Sequence, residues 1–295
     1  MTVAPQSFRA ALVQLRSGRS VEPNMQSAEA FIRRAAAGGA DYVQTPENTA
    51  IMELDPERLL AAIDTEEASA PLRRLRALAS ELGIVLHVGS LAMKLDPTHV
   101  ANRSYLITRD GEIAARYDKL HLFDVDLAGG ESYRESTSYR PGAHAVVVDL
   151  PFGRLGLSIC YDLRFAALYR ALACAGASFI AIPSAFTKQT GKAHWRVLVR
   201  ARAIETAGFM LAAAQGGLHE NGRSTYGHSI IVSPWGEVLA EAGDEPGVIF
   251  ADIDLAQSAE ARARIPSLQH GREFEVEIVD AREGATGRPP RKVVS

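Results

Sequence analysis

Cys160 stands at a point in the sequence where a cysteine can act as a nucleophile. The segment LGLSIC at 155–160 has the pattern of a buried strand, and YDLRFAALYRALACAG at 161–176 has that of a helix. A thiol at such a junction lies near the free N–H groups and the positive end of the helix, which lower its pKa and can stabilise an oxyanion. On position alone, a small core residue is an equally good interpretation, because free cysteines are commonly buried. Cys174, among alanines within the predicted helix, is interpreted as such a core residue.

Candidates for a general base and for a cation that stabilises an oxyanion lie elsewhere in the chain. The neighbourhood of Cys160 lacks the pattern of a papain-like protease, so a base other than histidine must be sought. Glu47 follows Pro46, which ends the strand-like segment YVQT, and α/β folds place ligands at the carboxyl ends of strands. Lys119 follows a predicted strand in RYDKLHLFDVD, where a desolvated ammonium can stabilise an oxyanion. Taken singly, the first is more often a solvated loop acid and the second a surface lysine.

The composition is that of a soluble globular protein and excludes several functional classes. Of 295 residues, 47% are hydrophobic and 23% charged. Lys plus Arg number 32 against 35 Asp plus Glu, a net charge of −3, so no cationic surplus favours nucleic acid. No apolar run has the length of a membrane span or a signal-peptide core, and we expect a cytoplasmic protein that does not bind membranes. The two cysteines and eight histidines lack metal-ligand spacing, so no metal site is expected.

Strands and helices alternate along the chain, and this alternation must position the reactive residues. A helix is predicted around 28–35 with Asn24 as its candidate N-cap, and another between Pro71 and Gly83. Asp110-Gly111 predicts a two-residue hairpin turn that delivers Lys119 to the end of the second strand, so the sheets are not purely parallel. Apolar stretches rich in Val, Ile and Leu predict strands at 8–15, 42–45, 84–91 and 145–150.

The second half of the chain repeats this organisation. Strands are predicted in LGLSIC, ASFIAI, FMLAAA, HSIIVS and GVIFADI, separated by helices after Cys160 and after Lys192. We therefore expect an α/β protein of two similar halves that face each other. Residues 1–281 are predicted to form one domain, and 282–295, rich in Gly, Pro and basic residues, a loosely ordered tail.

Taken together, these segments resemble the nitrilase superfamily of carbon–nitrogen hydrolases. The resemblance runs from residue 8 to about 275, and several blocks in the right order are far more specific than any one motif. The blocks are TPEN (45–48), YDKLHLFDVD (117–126), GGESYRES (129–136), RLGLSICYDLRF (154–165), PSAFTKQTGKAHWRVLVRARAIET (183–206) and YGHSIIVSPWGEVLA (226–240).

The resemblance implies a fold and a catalytic set. The fold is a four-layer α-β-β-α sandwich with mixed sheets, whose subunits usually pair as homodimers or larger assemblies through helices near the site. Matched by position, Glu47 is the general base, Lys119 the oxyanion lysine, Cys160 the nucleophile and Glu135 a second carboxylate. The backbone N–H of Tyr161 would share the oxyanion with Lys119, and a thioester would form without a metal or organic cofactor.

The resemblance also points to one branch of the superfamily, that of the deaminated-glutathione amidases and omega-amidases. The segment AAAQGGLHENGRSTYGHS, with Gln215, is closer to the first type. Either activity releases 2-oxoglutarate, so the acyl pocket must hold a dicarboxylic 2-oxo acid. By position, Arg164 and Thr190 would grip its distal carboxylate and Phe186 would form an apolar wall.

Several alternatives remain open from the sequence. Arg164 could instead form a structural ion pair with Asp162 or a neighbouring subunit, and His194, Trp195 and Arg196 are interpreted as packing and interface residues. Asn48 in TPEN departs from many relatives, which leaves the pocket beside Glu47 uncertain. Nitrile hydrolysis, N-carbamoyl amide cleavage and a non-catalytic binding protein on the same fold are the rival functions.

Overall fold

The computed structural model describes residues 7–128 and 130–276 of the chain. The α-helices of this part are α1 Val21–Ala37, α2 Pro56–Ala62, α3 Ala70–Leu82, α4 Ala166–Cys174, α5 Lys188–Thr206 and α6 Ala256–Arg264. The strands are β1 Ser7–Gln14, β2 Tyr42–Gln44, β3 Val85–Lys94, β4 Val100–Ile107, β5 Ile113–Asp118, β6 Asp124–Asp126, β7 Ser132–Arg134, β8 Val147–Leu150, β9 Gly153–Leu157, β10 Phe179–Ala181, β11 Phe209–Ala212, β12 Gly216–Leu218, β13 Ser224–Tyr226, β14 Ile230–Val232, β15 Val238–Glu241 and β16 Gly247–Asp254.

Two six-stranded sheets share one plan. The first has the order β16-β1-β2-β3-β4-β5, with β1, β2 and β3 parallel and the flanking strands antiparallel. The second has the order β15-β14-β11-β10-β9-β8, again with three parallel central strands and antiparallel flanks. The predictions of two similar halves and of mixed sheets are confirmed.

Alternate side chains of β1 pack into different layers, because successive residues of a strand point to opposite faces. Phe8 and Leu12 belong to the core shared by the two sheets, whereas Ala11 and Val13 belong to the core under α1 and α3. The ring of Phe8 stacks on Phe152 of the second half, with centroids 4.1 Å apart. The two sheets therefore pack face to face.

Helices cover the outer face of each sheet. α1 and α3 bury residues such as Ile32 and Leu75 against the first sheet. α4 and α5 pack on the second sheet through side chains that include Leu172 and Trp195. The layers run helix, sheet, sheet, helix, so the predicted four-layer α-β-β-α sandwich is confirmed.

The hairpin that carries Lys119 exists as predicted, but its turn is longer. β4 ends at Ile107 and β5 begins at Ile113, so residues 108–112 form the loop instead of two residues. Gly111 has a φ of 84°, and a Cβ there would lie 2.7 Å from the carbonyl oxygen of Arg76 on α3. Glycine is needed because the hairpin lies directly against the helix.

Three local predictions were wrong. Asn24 is not an N-cap, since α1 already begins at Val21 and the Asn24 amide donates to the carbonyl of Ala50. The helix after Cys160 starts as a 3-10 helix, Cys160–Arg164, and the α-helix begins only at Ala166. Cys174 is the exposed last residue of α4 instead of a core residue, because the helix ends there.

The proposed domain limits extend beyond the described residues. The boundary at 281 and the tail 282–295 lie outside them, so one domain over 1–281 stays a prediction. In the part of the chain that the structure describes, no helix is long and apolar enough to cross a membrane. The same residues contain no group of three or more His, Cys, Asp or Glu arranged to hold a metal ion.

Candidate active site

Glu47 is held in a buried turn after β2. A Cβ on Gly89 of β3 would lie 2.0 Å from the carbonyl oxygen of Thr45, so glycine allows this turn to approach the neighbouring strand closely. Asn48 follows with a φ of 58°, a conformation that asparagine tolerates better than most residues. The amide of Gln215 donates to the carbonyls of Glu47 (2.9 Å) and Asn48 (3.2 Å). Glu47 is 3% exposed, so its carboxylate faces the interior of the protein.

Lys119 lies between two carboxylates. Its Nζ is 2.9 Å from Oε1 of Glu47 and 2.9 Å from Oε2 of Glu135, and the side chain is 2% exposed. Nδ2 of Asn102 on β4 donates to both carboxylates, at 2.9 and 3.2 Å. The backbone N–H of Phe123 completes the shell by donating to Glu135 at 2.6 Å. Three residues from distant parts of the sequence thus form one buried charge cluster.

Burial and charge act in opposite directions on this cluster. Burial disfavours the charged Lys119, but Glu135 and Glu47 outweigh it and raise its pKa well above the ordinary value. For Glu47, burial raises the pKa, but the charge and hydrogen bond of Lys119 more than offset this and lower it. Both groups are therefore ionised at neutral pH.

Cys160 adopts an unusual backbone conformation at the start of the 3-10 helix. Its φ is 49°, a region that non-glycine residues seldom occupy and that is commonly found at functional sites. Its backbone N–H donates to the carbonyl of Pro183 at 2.9 Å. Cys160 and Glu47 line the same cavity, and the Glu47 carboxylate acts on the pKa of the thiol.

The expected lowering of the Cys160 pKa is not found. Burial and the neighbouring Glu47 carboxylate raise the pKa of the thiol, and Lys119 and the backbone N–H of Ala185 offset only part of this. The helix end, which was expected to lower it, is a short 3-10 helix here. The thiol is therefore protonated at rest and lies beside an ionised carboxylate that can accept its proton.

Asp162 fixes the 3-10 helix that carries Cys160. Its carboxylate accepts hydrogen bonds from the backbone N–H of Ile159 at 2.8 Å, from the Tyr117 hydroxyl at 2.6 Å and from the backbone N–H of His121 at 3.0 Å. It is fully buried. The sequence analysis considered Asp162 only as a partner for Arg164, and nothing in the sequence pattern marked it as this anchor.

One cavity of about 220 Å³ gives access to these groups. Of the residues predicted from the sequence, seven line it: Glu47, Lys119, Glu135, Cys160, Tyr161, Phe186 and Thr190. Arg164 does not line it, and instead its guanidinium lies over the rings of Tyr161 and Phe186, at 5.9 and 5.4 Å from their centroids. Its Nη1 is 3.3 Å from Nδ1 of His194, so the proposed alternative pairing with Asp162 is not the one observed.

Other residues around this cavity were not predicted from the sequence. Asn102 is a buried polar side chain within β4, a signal that was available in VANRSYLI. Arg223, from the segment HENGRSTYG, lines the cavity and lies over the ring of Tyr133, at 5.1 Å from its centroid. It was quoted within a motif but given no role, because no local pattern shows which way its side chain points.

Comparison with known proteins agrees with the fold and the site described above. A sequence profile described as carbon-nitrogen hydrolase matches residues 9–263. The chain belongs to this family. The membership confirms the resemblance to the nitrilase superfamily and the prediction of a hydrolase that acts on carbon–nitrogen bonds.

Curated relatives of this carbon-nitrogen hydrolase include amidases of both types in the predicted branch. A deaminated glutathione amidase from Yersinia enterocolitica is 40% identical over 266 residues, which cover 89% of this chain and 92% of the relative. The omega-amidase NIT2 of Homo sapiens is 37% identical over 268 residues, which cover 90% and 95%.

A solved structure provides a further comparison. It is a glutamate-to-glutamine mutant of the amidase from Nesterenkonia sp. AN1, with the acetamide moiety of fluoroacetamide added covalently to its active-site cysteine. It matches with a TM-score of 0.76 at 28% identity and covers 92% of this chain and 97% of that chain.

Proposed function

We propose that this carbon-nitrogen hydrolase is a cysteine-dependent amidase that converts deaminated glutathione to 2-oxoglutarate and cysteinylglycine. The observation that carries the proposal is that Cys160, Glu47 and Lys119 line one cavity, with Nζ of Lys119 2.9 Å from the Glu47 carboxylate. The 40% identity to a deaminated glutathione amidase supports the choice of substrate. A non-catalytic binding protein would have no use for such a costly buried charge cluster.

In the acylation step, Glu47 acts as the general base. Sγ of Cys160 attacks the amide carbonyl carbon while its proton passes to the Glu47 carboxylate. The carbonyl oxygen becomes an oxyanion that Nζ of Lys119 and the backbone N–H of Tyr161 stabilise. The C–N bond then breaks as Glu47 returns the proton to the departing amine, which leaves a thioester on Cys160. Covalent addition at the active-site cysteine of the Nesterenkonia amidase supports this choice of nucleophile.

In the deacylation step, Glu47 activates water. The water oxygen attacks the thioester carbonyl and gives a proton to Glu47, and the C–S bond breaks as the proton returns to sulfur. Glu135 holds Lys119 from the other side at 2.9 Å, so its role is to orient the ammonium. These steps are complete with the chain's own residues and water.

The acyl pocket is proposed to lie along Tyr161, Phe186 and Thr190. Thr190 is buried and lines the cavity, and its hydroxyl is 2.9 Å from that of Thr187. When Thr187 is the donor of this pair, the Thr190 hydroxyl can donate to a substrate oxygen. Arg164 lies over the rings of two of these cavity-lining residues, and it would have to rotate toward the rim to bind the distal carboxylate of the acyl group.

Hydrolysis of 2-oxoglutaramate is the second candidate, because the 37% identity to an omega-amidase favours it. The two candidate activities are distinguished by measuring kcat/KM on deaminated glutathione and on 2-oxoglutaramate with the same preparation of protein. An aliphatic nitrile and an N-carbamoyl amino acid serve as substrate controls, and Cys160→Ala serves as the blank. Higher efficiency on 2-oxoglutaramate would reverse the ranking, and turnover of a control alone would refute the proposed acyl group.

A homodimer and a cytoplasmic location are part of the proposal. Val197 and Ile204 on α5 are 67% and 54% exposed, and Trp235 is 54% exposed, which supports an apolar contact between subunits. Sedimentation of the purified protein tests the dimer, and fractionation of the source cells tests the location. A monomer at micromolar concentration would contradict the first.

A further inference from the structure

Within the described residues, Arg223 is the one charged side chain lining the cavity that forms no ion pair. Six charged side chains line the cavity: Glu47, Glu53, Lys119, Arg134, Glu135 and Arg223. Five of them form ion pairs. Lys119 pairs with both Glu47 and Glu135 in the buried cluster. Glu53 pairs with Arg19 at 2.7 Å, and Arg134 pairs with Asp126 at 2.8 Å. Among residues 7–128 and 130–276, no carboxylate forms an ion pair with Arg223.

The Arg223 guanidinium is held in place, but within the described residues one of its N–H donors has no acceptor. Nη2 donates to the carbonyl of Ala185, and the group lies over the ring of Tyr133. Nε is buried and, within the described part of the chain, has no hydrogen-bond partner. A buried donor without an acceptor is costly, so a ligand that brings a carboxylate here recovers that cost.

Arg223 and Arg164 lie over different aromatic side chains around the cavity. The Arg223 guanidinium lies over the ring of Tyr133, and both residues line the cavity that also contains Glu47. Glu47 is the group that protonates the amine. Arg164, by contrast, lies over Tyr161 and Phe186, which form the proposed acyl pocket.

We propose that Arg223 is a specificity-determining residue that binds the terminal carboxylate of a dipeptide leaving group. This inference rests on the proposed amidase function. An extended dipeptide spans about 7 Å from its amine nitrogen. The loop of the β12–β13 hairpin carries Arg223 into the cavity that contains Glu47, where a carboxylate at the end of such a leaving group could bind it. A substrate with two carboxylates would then meet one arginine at each end.

The test compares three substrates that share the 2-oxoglutaryl group. They are deaminated glutathione, the same molecule with its glycine carboxylate converted to an amide, and 2-oxoglutaramate. We expect the wild-type protein to prefer the first over its amide by about 10- to 100-fold in kcat/KM, the range of a charged hydrogen bond. Arg223→Met should reduce this ratio to about one, and Arg223→Lys should keep part of it. Arg76→Met is the matched control, because the guanidinium of Arg76 also donates to a backbone carbonyl, through Nε to that of Gly111, but lies outside the cavity.

The outcomes distinguish failure of the proposed function from failure of the inference about Arg223. If the wild-type protein hydrolyses no 2-oxoglutaryl amide, the proposed function fails and the inference fails with it. If it does, but Arg223→Met lowers kcat/KM equally on all three substrates, the function stands and the inference is wrong. That result would mean that Arg223 acts on Glu47 or on the acyl carboxylate instead. An unchanged ratio in Arg223→Met would likewise overturn the inference.

Discussion

Replacing Lys119 by methionine tests the division of roles in the cluster. The substitution removes an ammonium that lies 2.9 Å from each of two buried carboxylates and, in the proposed mechanism, stabilises the oxyanion. Loss of one oxyanion donor costs about 10²- to 10³-fold in kcat. The pKa of Glu47 should also rise, since burial remains while the main opposing charge is gone. We therefore expect a loss of at least about 10²-fold.

The same substitution should destabilise the protein, and a second substitution separates the two effects. Removing one partner of a buried ion pair costs about 3–5 kcal/mol, because a charge stays buried without a partner. Lys119→Met combined with Glu135→Gln removes one of the two carboxylates, so it should regain part of the thermal stability without regaining activity. Lys94→Met, on a half-buried lysine at the end of β3, is the control.

The assay follows turnover and the acyl-enzyme together. Steady-state kinetics gives kcat, and intact-mass spectrometry after substrate addition detects the thioester on Cys160. Glu47→Gln should slow both steps but still allow some adduct to accumulate, whereas Lys119→Met should not. A folded Lys119→Met protein with kcat within about threefold of the wild type would refute the oxyanion role. Equal adduct levels in the two variants would refute the division between base and oxyanion donor.

Three further predictions follow from the site. Cys160→Ala should abolish hydrolysis with the fold intact, as circular dichroism can check, while Cys174→Ala, at an exposed helix end, should keep wild-type kcat. Asp162→Ala should lower kcat by about 10-fold or more and lower the melting temperature, because the 3-10 helix under the nucleophile loses its anchor; wild-type values in both would contradict this. The pKa of Glu47 is lowered from 4.5, so the stability it contributes is present above pH about 4.5 and lost as pH falls further. The difference in unfolding free energy between the wild type and Glu47→Gln should therefore shrink with acidification in urea titrations, and a difference that grows would contradict the sign.

The layers of the fold could be predicted because they depend on local periodicity. Alternation in β1 divides its residues between two cores. The apolar segments at 8–15, 42–45 and 84–91 became the central strands of the first sheet, whereas 145–150 contains β8, an edge strand of the second, and GVIFADI became β16, an edge strand of the first. Local details depended on tertiary contacts instead. The loop 108–112 is set by the approach of Gly111 to α3, and the end of α4 at Cys174 could not be read from its alanines.

The residues of the candidate site also differ in whether the sequence could predict them. Glu47, Lys119, Glu135 and Cys160 were selected by matching segments, and the structure brings them to one cavity. Arg164 was selected by the same matching, but the direction of its side chain is set by the rings of Tyr161 and Phe186. Side-chain direction is not encoded in the spacing of a motif. For the same reason Arg223 could be recognised only from the structure.

The raised pKa of the thiol fits this kind of catalysis better than the lowered one expected from the sequence. Lys119, Glu47 and Glu135 carry one positive and two negative charges, and the thiol beside them is neutral. Passing the thiol proton to Glu47 moves a negative charge to sulfur without changing the net buried charge, so no new charge has to be desolvated. A resting thiolate would add a second negative charge beside Glu47. In the proposed mechanism, Glu47 and Cys160 are therefore coupled, and the thiolate forms only as it attacks the amide.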